Sequence, residues 1–354
     1  MIAIATAATF LLKELIATPS LSREEDQTAT ILTSFFQKHN IPSQRSGNNV
    51  WVKSKYWKAG KPVILLNSHH DTVKPVAAWQ RDPFAPSLED DKLYGLGSND
   101  AGGPLVSLIA TFLHFYEKTG LDFNLILAAT AEEEISGKNG IASILPELGP
   151  VDVGIVGEPT KMEMAIAEKG LMVVDVEAIG KAGHAARDEG ENAIYKAMQD
   201  IKTIQDFHFE QVSPLLGPVK MTVTQIEAGT QHNVVPDSCK FVVDIRTNEA
   251  YSNQEVFAIL QQQVQAKLKA RSFRLNSSKI DLDHPLAVAG KAMNLPYFGS
   301  PTLSDQALMP FPTLKMGPGD SARSHTADEY IKLSEIEQGI KVYCELLGRV
   351  KFEG

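Results

Sequence analysis

The 354-residue chain reads as an α/β protein interrupted by an α+β insertion, and three observations carry that reading. Four apolar runs without alternation, at 63–67, 125–130, 153–156 and 312–316, each end at a cluster of polar or glycine residues. Runs of this kind suit strands buried on both faces. Between them lie helical stretches such as 103–117, which completes an α/β pattern. In the middle of the chain the period changes to that of half-exposed strands. Finally, the length exceeds what one typical core uses, so two domains are expected.

Within the insertion, 171–179 alternates as a half-exposed strand and 192–207 is helical. Strands follow at 219–227 and 239–246. Ser252-Asn253-Gln254-Glu255 is a capping box that opens a helix running to about 269, and 273–282 supplies a last strand. The order βαββαβ is the split, ferredoxin-like arrangement. The domains are therefore expected at 1–166, 167–278 (inserted) and 279–354, the last returning to the first.

Composition narrows the function. Apolar content of 43% and charged content of 22% are ordinary for a globular chain, and a net charge of −9 argues against a nucleic-acid surface. Cys239 and Cys344 are the only cysteines, which excludes a disulfide scaffold or zinc ribbon and suits a reducing cytoplasm. The apolar start at 1–12 lacks a basic leader and runs into Lys13-Glu14, so it reads as an amphipathic helix rather than a signal peptide. No later apolar run approaches the roughly 20 residues of a membrane span.

The apolar runs lead into chemistry. The first ends at Ser68-His69-His70-Asp71, the second at Glu132-Glu133-Glu134 and the third at Gly157-Glu158-Pro159. Ligands collect at the C-terminal ends of strands in open α/β sheets. An imidazole with an acid two positions on can be a ligand held by a supporting carboxylate. By strand alternation His70 points away from His69. Asp100 lies in a glycine-rich turn before an apolar helix, where it could bridge two metals or simply cap the helix. Adjacent glutamates repel one another unless a cation is present, though a solvated acidic loop would also hold them. His325 stands between Ser324 and Thr326, and taken alone it reads as a solvated loop histidine. Their joint occurrence, two imidazoles and a surplus of carboxylates, points to a metallohydrolase.

These motifs, in this order along nearly the whole chain, resemble the M20 metallopeptidase and deacylase family, which includes acetylornithine deacetylase and succinyl-diaminopimelate desuccinylase. The resemblance rests on His69-His70-Asp71, Asp100, Thr130-Ala131-Glu132-Glu133-Glu134, Gly157-Glu158-Pro159 and His325. It implies a mixed-sheet, zinc-peptidase-like catalytic domain and a lid or dimerisation role for the insertion. It further implies two divalent metals, with His69 and Glu158 on one, Glu134 and His325 on the other, and Asp100 shared. Asp71 would clamp His69, Glu133 would be the general base, and Glu132 would not be a ligand. A cis peptide after Asp100 is also implied. Zinc fits such ligands, and cobalt or manganese would bind similarly.

Three further segments look like the family's. His184, in Gly180-Lys181-Ala182-Gly183-His184, is the counterpart of a histidine that reaches a partner subunit's site and stabilises an oxyanion. Asn233 and Arg246 resemble contacts to the substrate carboxylate. Gly319, in Gly317-Pro318-Gly319, would add backbone N–H groups there. A capping histidine, a turn asparagine, a strand arginine and a simple turn are the plain alternatives. Gly190-Glu191-Asn192-Ala193-Ile194 looks most like the acetylornithine deacetylase branch. The expectation is a homodimeric hydrolase of an N-acyl amino acid, N²-acetylornithine first, in arginine biosynthesis. Succinyl-diaminopimelate, acetylcitrulline, succinylornithine, acetyl-lysine and short peptides are alternatives. A relative that has lost its metals would lack a ligand, and none is missing.

Overall fold

A computed structural model describes residues 2–352 of the protein. The chain divides into two compact units: Met1–Ile166 with Lys279–Phe298 and Ser304–Gly354, and Ala167–Ser278 with Gly299–Leu303. The returning segment is thus not continuous, because five of its residues cluster with the inserted unit.

In the first unit the four apolar runs form the centre of a mixed sheet. The strand Val63–His69 runs parallel to Asn124–Thr130 on one side and to Val153–Val156 on the other, and Val153–Val156 runs parallel to Thr313–Lys315. Asn49–Lys53 and Ser43–Ser46 extend the sheet antiparallel at one edge. The absence of alternation has a direct cause, since both faces are covered. Ile64 and Leu66 join a core with helices Ile2–Ile16, Gly103–Tyr116 and Leu333–Arg349. Val63 and Leu65 join the opposite core with helix Ile141–Leu148. Parallel neighbours need crossovers, and the helices Gly103–Tyr116 and Ile141–Leu148 supply them. All four central strands therefore end at the same edge. A small antiparallel sheet of Ser87–Glu89, Lys92–Tyr94 and Tyr330–Lys332 lies apart from it. Among the described residues no helix is long and apolar enough to cross a membrane.

The inserted unit is a four-stranded antiparallel sheet in the order Lys220–Ala228, Ser238–Thr247, Gly170–Ile179, Lys267–Ala270. Helices Ala193–Asp206 and Asn253–Gln263 share its core, with Val174, Val176, Phe241 and Val243 packing near Ala197, Val256 and Leu260. Alternate residues of Gly170–Ile179 are buried, as the period indicated. Ser252 and Glu255 form the capping box. Two expectations fail at its far end. The second helix stops at Gln263 rather than near 269, and the last strand is Lys267–Ala270 rather than 273–282. The Asp200 carboxylate accepts the backbone N–H groups of Gln265 and Ala266, both at 3.0 Å. That contact draws the two groups out of the helical ladder, and pairing with Gly170–Ile179 then overrides the helix propensity of Lys267-Leu268-Lys269-Ala270.

Candidate metal centre

The site is assembled where the parallel strands end. His69 is the last residue of its strand and is 1% exposed. Its Nδ1–H donates to the Asp71 carbonyl at 3.0 Å and lies 3.4 Å from the Asp71 carboxylate. The other ring nitrogen, Nε2, is thereby turned toward the cluster: Asp100 Oδ1 at 3.3 Å, Glu158 Oε1 at 3.8 Å and Glu133 Oε2 at 3.9 Å. Glu133 and Glu134 follow the Asn124–Thr130 strand, and Glu158 follows Val153–Val156. From the other end of the chain comes His325, whose Nε2 sits 3.0 Å from Glu134 Oε2 and 3.6 Å from Asp100 Oδ2. Asp100 therefore presents one oxygen to each imidazole. It does not cap the following helix. The Asp100-Ala101 peptide is cis, as the resemblance implied.

Asp71 is fully buried. Besides facing His69 it accepts the N–H of Glu133 at 3.1 Å, that of Glu134 at 3.2 Å and the Ser22 hydroxyl at 2.7 Å. Glu132 turns away from the cluster: its carboxylate accepts from the Asn139 backbone N–H and side-chain amide at 3.2 and 2.8 Å. His70 also points away, with Nδ1 2.9 Å from Thr28 Oγ1 and Nε2–H donating to the Asn48 carbonyl at 2.9 Å.

The electrostatics are those of crowded acids. Burial above all pushes the Glu133 carboxyl well above the usual range, and Glu158, Asp305 and Glu134 add to the effect against the pull of His69. Glu158 is pushed up to about 8 by burial and then by Asp100. Burial raises Glu134 too, although the hydrogen bond from His325 opposes it. For Asp100 burial works the same way, but His69, Ser324 and His325 together hold it below the usual range. Glu134 raises His325 to about 9. Four carboxylates and two imidazoles in so small a space form an oxygen-rich donor set whose mutual repulsion a pair of divalent cations would offset. Two overlapping triads, His69/Asp100/Glu134 and His69/Glu133/Glu158, each bring one atom per residue within 4.8 Å of the others. The residues fit a dinuclear centre.

Sequence reasoning missed Glu329. It is 2% exposed, and its Oε1 accepts the N–H groups of Asn99 and Asp100 at 2.8 and 3.0 Å. The signal available was an acid directly before the strand Tyr330–Lys332 and four residues after His325. Asn99 was also passed over. Gly319 has φ +95°, and a Cβ there would lie 2.5 Å from Asn99 Oδ1. Its carbonyl accepts from Lys161 N–H.

The other expected substrate contacts lie in the inserted unit. His184 stands on a two-residue ribbon paired with Val234–Val235, and Asn233 precedes that partner strand, its carbonyl accepting the Ala185 N–H. The ribbon brings His184 and Asn233 together on an exposed surface. Arg246 is half-buried, and its Nε donates to Asp244 Oδ1 at 2.8 Å.

Comparisons with known proteins agree with this chemistry. The profile of Peptidase family M20/M25/M40 matches residues 65–349. A succinyl-diaminopimelate desuccinylase of Dinoroseobacter shibae is 27% identical over 71% of this chain and 70% of its own length. An acetylornithine deacetylase of Salmonella arizonae is 28% identical over 90% of this chain and 91% of its own. In structure, the Bacillus subtilis protein YXEP, described as a dinuclear metal binding peptidase from the M20 family, is similar at a TM-score of 0.73 and 18% identity. That likeness covers 98% of both chains.

Proposed function

The chain belongs to peptidase family M20/M25/M40, and from that premise we propose that it removes the acyl group of an N-acyl amino acid, with N²-acetylornithine the first substrate to test. The protein is a hydrolase of that family. The observation that carries the reading is Asp100, whose two oxygens face imidazoles from opposite ends of the chain.

His69, Asp100 and Glu158 would hold one divalent cation, and Asp100, Glu134 and His325 the other; zinc is first, with cobalt and manganese as substitutes. When bound, such a pair acidifies a water and polarises the acyl carbonyl. Glu133 is the base. Its burial among other acids raises its proton affinity, which suits a group that must take a proton and give it back near neutrality. It takes the proton as the water oxygen bonds to the acyl carbon. It then returns that proton to the amine nitrogen as the C–N bond breaks, releasing carboxylate and amino acid. Asp71 fixes the tautomer of His69 and the backbone of Glu133. His184 Nδ1 accepts from Ala186 N–H at 3.1 Å, which leaves Nε2–H as a donor suited to the developing oxyanion. Asn233, Arg246 and Gly319 would bind the substrate carboxylate. In this reading the protein works as a cytoplasmic homodimer on a small molecule, with neither nucleic acid nor membrane as partner, in arginine biosynthesis.

The desuccinylase relatives favour a second reading, a longer anionic acyl group. One panel separates the two: acetylornithine, acetylcitrulline, succinylornithine, succinyl-diaminopimelate, acetyl-lysine and a dipeptide, with zinc- or cobalt-loaded enzyme. Preference for acetylornithine supports the first reading, and preference for either succinyl compound replaces it. In the same assay Glu133→Gln is expected to keep both metals and lose about 10²- to 10⁴-fold in kcat. No turnover of any member by loaded wild type would overturn the deacylase reading.

A further inference from the structure

The second half of the centre depends on two loops far apart in sequence, the Asp100 turn and the His325 loop, and the structure shows how they are joined. The joint is reciprocal. Glu329, from the His325 loop, reaches into the turn and accepts two successive N–H groups, those of Asn99 and Asp100. Asn99, from the turn, reaches back into the loop. Its Nδ2 donates to the Asp320 carbonyl at 3.1 Å and to Ser324 Oγ at 3.3 Å, while its Oδ1 accepts the Asp320 N–H at 3.0 Å. Both side chains are buried, Asn99 fully. Neither points its polar atoms at the cluster of imidazoles and carboxylates, yet each is bonded beside a residue that does.

We infer that Asn99 and Glu329 are positioning residues that set the distance between Asp100 and His325, and hence the affinity of the cation position those two share with Glu134. The inference rests on the dinuclear reading above. Asp100 is shared, so the effect is one of degree: the other position keeps His69 and Glu158, which are placed independently at the ends of Val63–His69 and Val153–Val156 within one sheet, whereas this one also depends on His325. Hydrogen-bond partners that orient metal ligands typically change affinity by about 10- to 100-fold when removed. A loss of that size is expected at one position and a smaller one at the other.

The test is a titration of metal-free protein with Co²⁺, followed by visible absorption and calorimetry, beside the melting temperature of the metal-free protein. Wild type should bind two equivalents. Asn99→Asp keeps the acceptor facing Asp320 N–H and loses both donated bonds. Glu329→Gln keeps an acceptor for the two N–H groups and puts an NH₂ donor in place of the second carboxyl oxygen. Each variant should bind one equivalent about 10- to 100-fold more weakly than wild type, and the other with a clearly smaller loss. If both equivalents bind as in wild type, or both weaken together in step with the melting temperature, the clamp is overturned and the dinuclear reading stands. If wild type itself binds fewer than two equivalents, the dinuclear reading fails and the clamp falls with it. Should Glu329→Gln fail to fold, Asn99→Asp decides alone.

Discussion

Asp71 shows how much one side chain can organise. It is fully buried and has only two carboxylate oxygens, yet it receives two backbone N–H groups and a hydroxyl and faces an imidazole. Both backbone N–H donors belong to Glu133 and Glu134, so the same carboxylate orients the His69 imidazole and the acidic pair opposite it. An Asp71→Asn change keeps one acceptor and replaces the other with a donor that meets an N–H. Cobalt affinity should fall by about 10- to 100-fold with the fold retained, as read by titration and circular dichroism. Unchanged affinity would mean the backbone alone holds these residues. Its neighbour His70 makes a different prediction. Burial is the main cause that lowers its pKa to about 4 from the ordinary 6.5 of an imidazole. The native state therefore binds fewer protons than the unfolded chain between those values. Its stabilising contribution is fully present above pH 6.5 and is lost as pH falls toward 4. The expected loss at pH 5 is about 2 kcal/mol. Metal-free wild type should accordingly lose more stability between pH 8 and pH 5 than His70→Gln does, by denaturant titration; parallel slopes would contradict it.

At the scale of elements, the site exists because parallel strands finish together and their last residues are forced close. Gly317 marks one such close approach: a Cβ there would lie 2.5 Å from the Glu158 carbonyl and 3.1 Å from its amide nitrogen. Both obstacles are backbone and cannot rotate away. Gly317→Ala should therefore displace Glu158 and cost about 1–3 kcal/mol, with weaker metal binding as the more specific sign. Ordinary affinity and an unchanged melting temperature would show that the loop yields freely. This convergence was legible in sequence because a strand buried on both faces leaves an unbroken apolar run, and each run stopped at a motif residue. Elements of mixed character were less legible. Val264 to Ala270 carries good helix formers, and two hydrogen bonds to Asp200, some 65 residues earlier, together with pairing to Gly170–Ile179 divert it into a strand. A rule that looks along a window cannot see a carboxylate arriving from another helix.

For the molecule as a whole, the motifs that bear metal-ligating groups could be read because their residue types are chemically distinctive and their order survives the insertion. Asn99 and Glu329 could not, because an asparagine or glutamate that binds backbone N–H groups looks like any other polar residue until contact across some 230 positions is known. The same limit applies to His184, whose place on the exposed ribbon says which nitrogen can donate but not which chain's substrate receives the bond. The proposed homodimer makes that question experimental. His184→Ala should lose about 10²- to 10³-fold in kcat, the usual cost of one oxyanion donor. Glu133→Gln should be similarly impaired for an unrelated reason. Suppose His184 serves the partner subunit. A mixed dimer then holds one complete site, formed by Glu133 of the His184→Ala subunit and His184 of the Glu133→Gln subunit. After random exchange half the dimers are mixed and each has one working site of two, so activity should return to roughly a quarter of wild type. Suppose instead that His184 serves its own chain. Every site in the mixture then lacks either the base or the donor, and activity stays at the level of the single variants. The exchange itself can be followed by differently tagged subunits, so an absence of recovery with mixed dimers present would remove the partner-subunit role of His184.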